Sequence, residues 1–188
     1  QEANGAFELY VSTPDGKKNG KASGPLVTNG DVDGFAWSPN GSRIAYFGDR
    51  ETAGVLELFV TTPDGKKNVK VSGPLVTGGD VFLGLFWSRN GSRIAYLADQ
   101  EADEVFELYV TTPDGKKNVK VSGPMVTNGG VGAFAWSPNG SRIAYRADQE
   151  ADEVFELYVS TPDGKKTLKV SGPLVTNGDV DAFKWSPN

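Results

Sequence analysis

Short apolar runs separated by turn residues set the pattern of this chain, with no stretch at the 3.6-residue spacing of a helix. Ala133-Phe134-Ala135-Trp136 precedes the polar turn Ser137-Pro138-Asn139-Gly140, and Arg142-Ile143-Ala144-Tyr145 resumes the apolar pattern. Asn-Gly between two β-like runs signals a hairpin, because both residues tolerate positive φ. The charged loop Asp148-Gln149-Glu150-Ala151-Asp152-Glu153 leads to Val154-Phe155-Glu156-Leu157-Tyr158-Val159, whose β-branched and aromatic residues predict a third strand. Thr161-Pro162-Asp163-Gly164-Lys165-Lys166 is the next turn. Lys169 to Val175 is predicted as the fourth strand; Pro173 has no N–H for a ladder and places that strand at an edge.

The same order recurs along the chain. Trp37, Trp87, Trp136 and Trp185 lie 50, 49 and 49 residues apart, and the segments between them are near copies. A fixed period of this size marks a repeat architecture. Four short antiparallel strands per repeat, the last at an outer edge, describe a propeller blade. A β-solenoid would have shorter repeats, and the paired glycines of kelch blades are missing. The expected fold is therefore all-β: a β-propeller of four-stranded antiparallel blades, about four repeats in one array over residues 1–188. Gln1-Glu2-Ala3 aligns with Gln149-Glu150-Ala151, so residues 1–29 supply a third and fourth strand, while 181–188 supply only a first strand. One blade is thus split between the termini, without a counterpart of residues 140–148. Exposed end blades predict association of copies, a dimer being favoured.

Trp-Ser-Pro-Asn-Gly-Ser-Arg-Ile-Ala-Tyr, followed by Glu-Leu-Tyr-Val and a Pro-Asp-Gly turn, resembles the WD40-like repeat of TolB-type propellers. The same repeat occurs in the propellers of prolyl-oligopeptidase relatives. The family usually carries Asp where Asn40, Asn90 and Asn139 stand, and either residue suits the turn. The TolB-like resemblance implies a protein-interaction module and a periplasmic or secreted location. The peptidase resemblance would require an α/β-hydrolase domain with a Gly-x-Ser-x-Gly elbow, absent from this chain. Residues 101–110 recur verbatim at 150–159, which suggests recent duplication or deliberate engineering.

Composition narrows the chemistry. A net charge of −5 and a pI near 4.8 argue against a nucleic-acid partner. No apolar run approaches the ~18 residues that would cross a membrane. The chain has neither cysteine nor histidine, which removes thiolate and imidazole metal sites and the commonest general base. No catalytic residue and no cofactor site is assigned, and the expectation is a chain that is not an enzyme: a propeller scaffold that assembles with itself or, alternatively, binds a protein partner. The weak metal candidates are Asp31, Asp33, Asp179 and Asp181, joined by Asp80, ahead of first strands where carboxylates could gather around a hard cation. Gly130 and Gly132 interrupt that set. Glu8, Glu57, Glu107 and Glu156 recur inside third strands and are expected to be paired across strands, and the tryptophans are expected to pack between blades. The turn lysines (Lys17, Lys18 and their repeats) and the acidic loops are expected on opposite faces of the disc.

Overall fold

The computed structural model describes residues 5–187. Among them are fourteen strands and no helix. A hairpin of β1 (Tyr10–Ser12) and β2 (Asn19–Lys21) comes first. The first full blade is β3 (Val32–Trp37), β4 (Ile44–Gly48), β5 (Glu57–Thr61) and β6 (Asn68–Lys70). The second is β7 (Val81–Trp87), β8 (Ile94–Ala98), β9 (Glu107–Thr111) and β10 (Asn118–Lys120), and the third is β11 (Val131–Trp136), β12 (Ile143–Ala147), β13 (Glu156–Ser160) and β14 (Thr167–Lys169). Each full blade is an antiparallel meander with strands in sequence order.

The fourth strand lies earlier than the apolar pattern suggests. β14 ends at Lys169, before Ser171-Gly172-Pro173, and the same holds at β2, β6 and β10. The Ser-Gly-Pro step forms a corner instead of an edge strand. Ser23, Ser72, Ser122 and Ser171 each accept, at Oγ, the backbone N–H of Leu9, Leu58, Leu108 or Leu157 on the third strand. The following glycine N–H donates to a tyrosine of the next blade: Gly24 to Tyr46, Gly73 to Tyr96 and Gly123 to Tyr145. Residues 181–185 adopt no regular strand; among the described residues no second strand lies beside them to supply a ladder.

Blades stack face on face, which explains why both sides of the middle strands are apolar. β4, β5, β8 and β9 are buried along their whole length. Between the first and second blades, Leu58, Val60 and Val71 meet Ile94, Tyr96 and Tyr109. Between the second and third, Leu108, Val110 and Val121 meet Ile143, Tyr145 and Tyr158. The N-terminal hairpin packs Leu9 and Ala22 on Ile44, Tyr46 and Phe59 in the same way. Full burial of each such side chain stabilises by about 1.5–3 kcal/mol. The tryptophans bridge the inner strands: the indole N–H of Trp87, Trp136 and Trp185 donates to the carbonyls of Ala36, Phe86 and Ala135. Trp185 keeps this bond without a strand, so residues 179–187 lie on the third blade where a next blade would begin.

Candidate functional site

The repeats allow each position to be compared in several settings, and one face stands apart. Val71 and Val121, the residues that follow β6 and β10, are 1% exposed between blades; Val170, following β14, is 48% exposed. Leu58 and Leu108 are fully enclosed, whereas Leu157 is half-buried. Leu168 and Val175 are exposed on the same blade. An apolar sheet face made of residues that elsewhere form a core is thereby left open on the third blade.

A polar latch accompanies each covered face. Thr61 Oγ1 and Asn68 Nδ2 both donate to the Ala22 carbonyl, at 2.8 and 3.2 Å. Thr111 Oγ1 and Asn118 Nδ2 do the same to Val71, each at 2.9 Å. In the third blade Thr167 reaches the Val121 carbonyl at 3.5 Å. A buried carbonyl left without such a donor would cost about 1–3 kcal/mol, so these pairs fix the blade register as well as the spacing. The apolar runs of the sequence foretold the cores; this latch, and the tyrosines bonded to Ser-Gly-Pro, escaped the sequence reading. Their signal was the recurrence of Thr, Asn and Tyr at fixed repeat positions.

Arg146 breaks the pattern on the open face, standing where Phe47 and Leu97 stand in the other blades. Its guanidinium lies 4.9 Å from the Phe155 ring centroid and donates to the Val180 carbonyl at 3.2 Å. Its Nε is buried without a partner.

The candidate carboxylates have backbone partners. Asp31 accepts the Phe7 N–H at 2.6 Å, Asp80 that of Leu56 and Asp179 that of Phe155, both at 2.7 Å. Asp33 is exposed near Asp31; partial burial, then the charges of Asp49 and Asp31, raise its carboxyl above the ordinary range. Asp181 is exposed and lines a cleft with Arg146, Phe134 and Phe183. Among the described residues, no group of three or more acidic side chains is gathered so as to hold a metal ion.

The third-strand glutamates are ion-paired. Lys21 meets Glu8 and Lys70 meets Glu57, while Lys120–Glu107 and Lys169–Glu156 are both 2.9 Å apart. Lys70, Lys120 and Lys169 each reach a second carboxylate, Glu51, Glu101 or Glu150. Burial opposes the charge on Lys120, but its two carboxylates outweigh burial and raise its affinity for the proton. The turn lysines lie 3.4–3.9 Å from the aspartate of their own turn, in Lys17–Asp15, Lys66–Asp64, Lys116–Asp114 and Lys165–Asp163. The threonine hydroxyl, then a backbone N–H, lowers each of those carboxyls below the usual range. The lysine-rich turns therefore carry their own counter-charges. No helix among the described residues is long and apolar enough to cross a membrane.

No protein-family model matches the sequence, and no curated protein matches it either. Solved structures do match the stacked meanders. A protein assigned as TolB from Agrobacterium tumefaciens superposes with a TM-score of 0.56 at 17% identity, covering 89% of this chain and 62% of that one. The fold is that of the TolB-type β-propeller. An oligogalacturonate lyase in complex with manganese gives a TM-score of 0.58 at 16% identity, covering 87% of this chain and 42% of the lyase. A structure from a study of two prolyl endopeptidases gives 0.57 at 13%, covering 89% and 26%. The chain thus spans less than two thirds of the length of these proteins. Their range corrects one expectation: the lack of histidine and of a serine elbow had pointed to a chain that is not an enzyme, yet enzymes share this fold. A propeller supports many chemistries through different residues, so the fold does not exclude catalysis. At these identities the likeness extends to the fold alone.

Proposed function

We propose that this chain is a self-assembling propeller scaffold, in which the open face of the third blade is covered by a blade surface of a second copy, two copies closing a ring. The observation that carries this reading is the 48% exposure of Val170 where Val71 and Val121 are 1% exposed. The covered faces of the first two blades show what such a surface accepts, namely another blade with the same sequence pattern. Two chains of about four repeats would bring the ring to the upper end of the four to eight blades typical of propellers. The verbatim repetition of residues 101–110 at 150–159 supports an array of recent duplication or engineered origin. Light scattering on the 188-residue chain over a range of concentrations tests the reading. A particle of two chains is expected; single chains at every concentration would overturn it.

A protein-interaction module is the second reading, and one observation favours it. β7 departs from β3 and β11 by an inserted residue and by a longer break in register, which runs from Phe82 to Phe86 where theirs run from Val32 to Gly34 and from Val131 to Ala133; Phe82 and Phe86 are 51% and 54% exposed. Phe82 packs on Phe106 and Phe86 on Phe134, making a blade-specific apolar patch on an inner strand. This reading predicts that Phe82→Ser with Phe86→Ser leaves particle mass unchanged and abolishes binding of a partner protein; loss of assembly instead would count against it.

A further inference from the structure

We infer that the segment covering the open face is the N-terminal hairpin of the second copy, β1–β2, seated head to tail on β14. The inference rests on the self-association proposed above and adds its docking element and register.

Three features mark the junctions whose two sides the structure describes, the first in reduced form between the second and third blades, where Ser160 bonds the Thr161 carbonyl and Thr167 alone reaches Val121; the hairpin carries the counterpart of each. The first is the latch to the carbonyl that follows the fourth strand. Ser12 and Asn19 occupy the positions of Thr61 and Asn68, and of Thr111 and Asn118, the donors to Ala22 and Val71. Val170 occupies the acceptor position on the open face. The second feature is a third-strand aromatic between the blades: Phe59, Tyr109 and Tyr158 pack there, and Tyr10 holds the same position in β1.

The third feature is the closest. The glycine of each Pro-Asp-Gly turn lies against the preceding blade's fourth-strand lysine carbonyl, so near that a Cβ could not fit. A Cβ on Gly115 would stand 2.7 Å from the Lys70 oxygen, and one on Gly164 2.6 Å from the Lys120 oxygen; Gly65 is as tight against Lys21. Gly16 shares their conformation, φ 68° against 69°, and a Cβ there meets nothing within 4 Å among the described residues. Its counterpart on the open face is the Lys169 carbonyl. The hairpin therefore presents donors, an aromatic ring and a side-chain-free turn in the spacing that β14, Lys169 and Val170 match.

Docking of this kind is heterologous: one copy gives its hairpin, the other its β14 face, and closure of the ring repeats the junction. Gly16→Asn tests it. Asn tolerates positive φ better than other side chains, and open space around Gly16 lets the free chain fold. In the junction its Cβ would strike the Lys169 carbonyl. The dissociation constant measured by sedimentation should rise on the order of a hundredfold, the factor carried by overpacking a close contact. Gly54→Asn, at φ 74° with open space and with Glu104 and Glu153 as its counterparts, is the control and should leave association unchanged. Val170→Lys blocks the opposite side and should also give single chains. Mixing Gly16→Asn with Val170→Lys leaves one intact junction, the hairpin of the Val170→Lys chain on β14 of the Gly16→Asn chain, and one that carries both lesions, so the expected product is an open two-chain particle held by a single junction.

The outcomes separate the two claims. Wild-type single chains at all concentrations sink the self-association itself. Wild-type association that Gly16→Asn leaves intact would overturn the hairpin docking while leaving self-association standing.

Discussion

Val121 and Val170 are the same residue at the same repeat position, one inside a junction and one on an open face, so truncating each to alanine measures what the junction contributes. Val121 is 1% exposed among Leu108, Val110, Ile143 and Tyr145. Removing its two methyl groups forfeits about 1.6 kcal/mol of transfer free energy, and the cavity left behind brings the cost to about 2–3 kcal/mol. Val170 is 48% exposed, so only about half of that transfer term applies and no closed cavity forms; Val170→Ala should cost about 0.5–0.8 kcal/mol. Urea unfolding at a concentration where light scattering finds single chains is the assay, read as midpoint shifts at constant slope. The two variants should differ by roughly 1.5–2 kcal/mol there. As concentration rises and copies associate, the cost of Val170→Ala should climb towards that of Val121→Ala, because mass action links docking to folding. Equal costs in the single-chain regime would refute the reasoning, since exposure at the repeat position would then not decide the energetics.

Gly130→Asp should stabilise the chain by about 0.5–1.5 kcal/mol, giving the Phe106 N–H the carboxylate acceptor that Asp31, Asp80 and Asp179 provide in their repeats; a Cβ at Gly130 meets the Phe106 carbonyl at an ordinary 3.4 Å, and denaturant midpoints report the gain. Glu104→Gly should stabilise by about 0.5–1 kcal/mol in the same assay, because Glu104 is held at φ 62° where the first blade has Gly54 at φ 74°, and relief of left-handed strain exceeds the added chain entropy. Burial, only partly offset by hydrogen bonds to Tyr96 and Tyr145, pushes both phenols up to about 12. An unfolded tyrosine titrates near ~10, so their stabilising share is complete below pH ~10 and is lost as pH rises from there towards about 12. Tyrosinate absorbance and loss of β-sheet circular dichroism should rise together over that window; early ionisation with the fold intact would contradict it.

Local chemistry carried most of the architecture. Asn-Gly and Asp-Gly steps at a period near 49 residues could close only tight hairpins, and apolar runs too short for helices could bury themselves only as strands; both demands are local, so the residues themselves determined the meander and the TolB-type blade. The glutamates inside third strands were legible too, because a carboxylate repeated in every blade needs a partner, and Lys21, Lys70, Lys120 and Lys169 are there. The fourth strand was misplaced because Val170 and Leu174 read as strand residues, when their apolar character serves packing between blades and the Ser-Gly-Pro corner ends the ladder at Lys169.

What the linear pattern could not decide is which identical residues end up covered. Val121 and Val170 have the same neighbours in sequence, and only the stacking of one sheet on the next makes one a core residue and the other an exposed one. The same is true of the carbonyls of Val71 and Val121, whose hydrogen-bond donors come from the next blade, 40 to 47 residues along the chain. Burial and hydrogen-bond satisfaction between blades are properties of pairs of surfaces. Tertiary structure alone brings those pairs together, and so it alone reveals the open face on which assembly is proposed to occur.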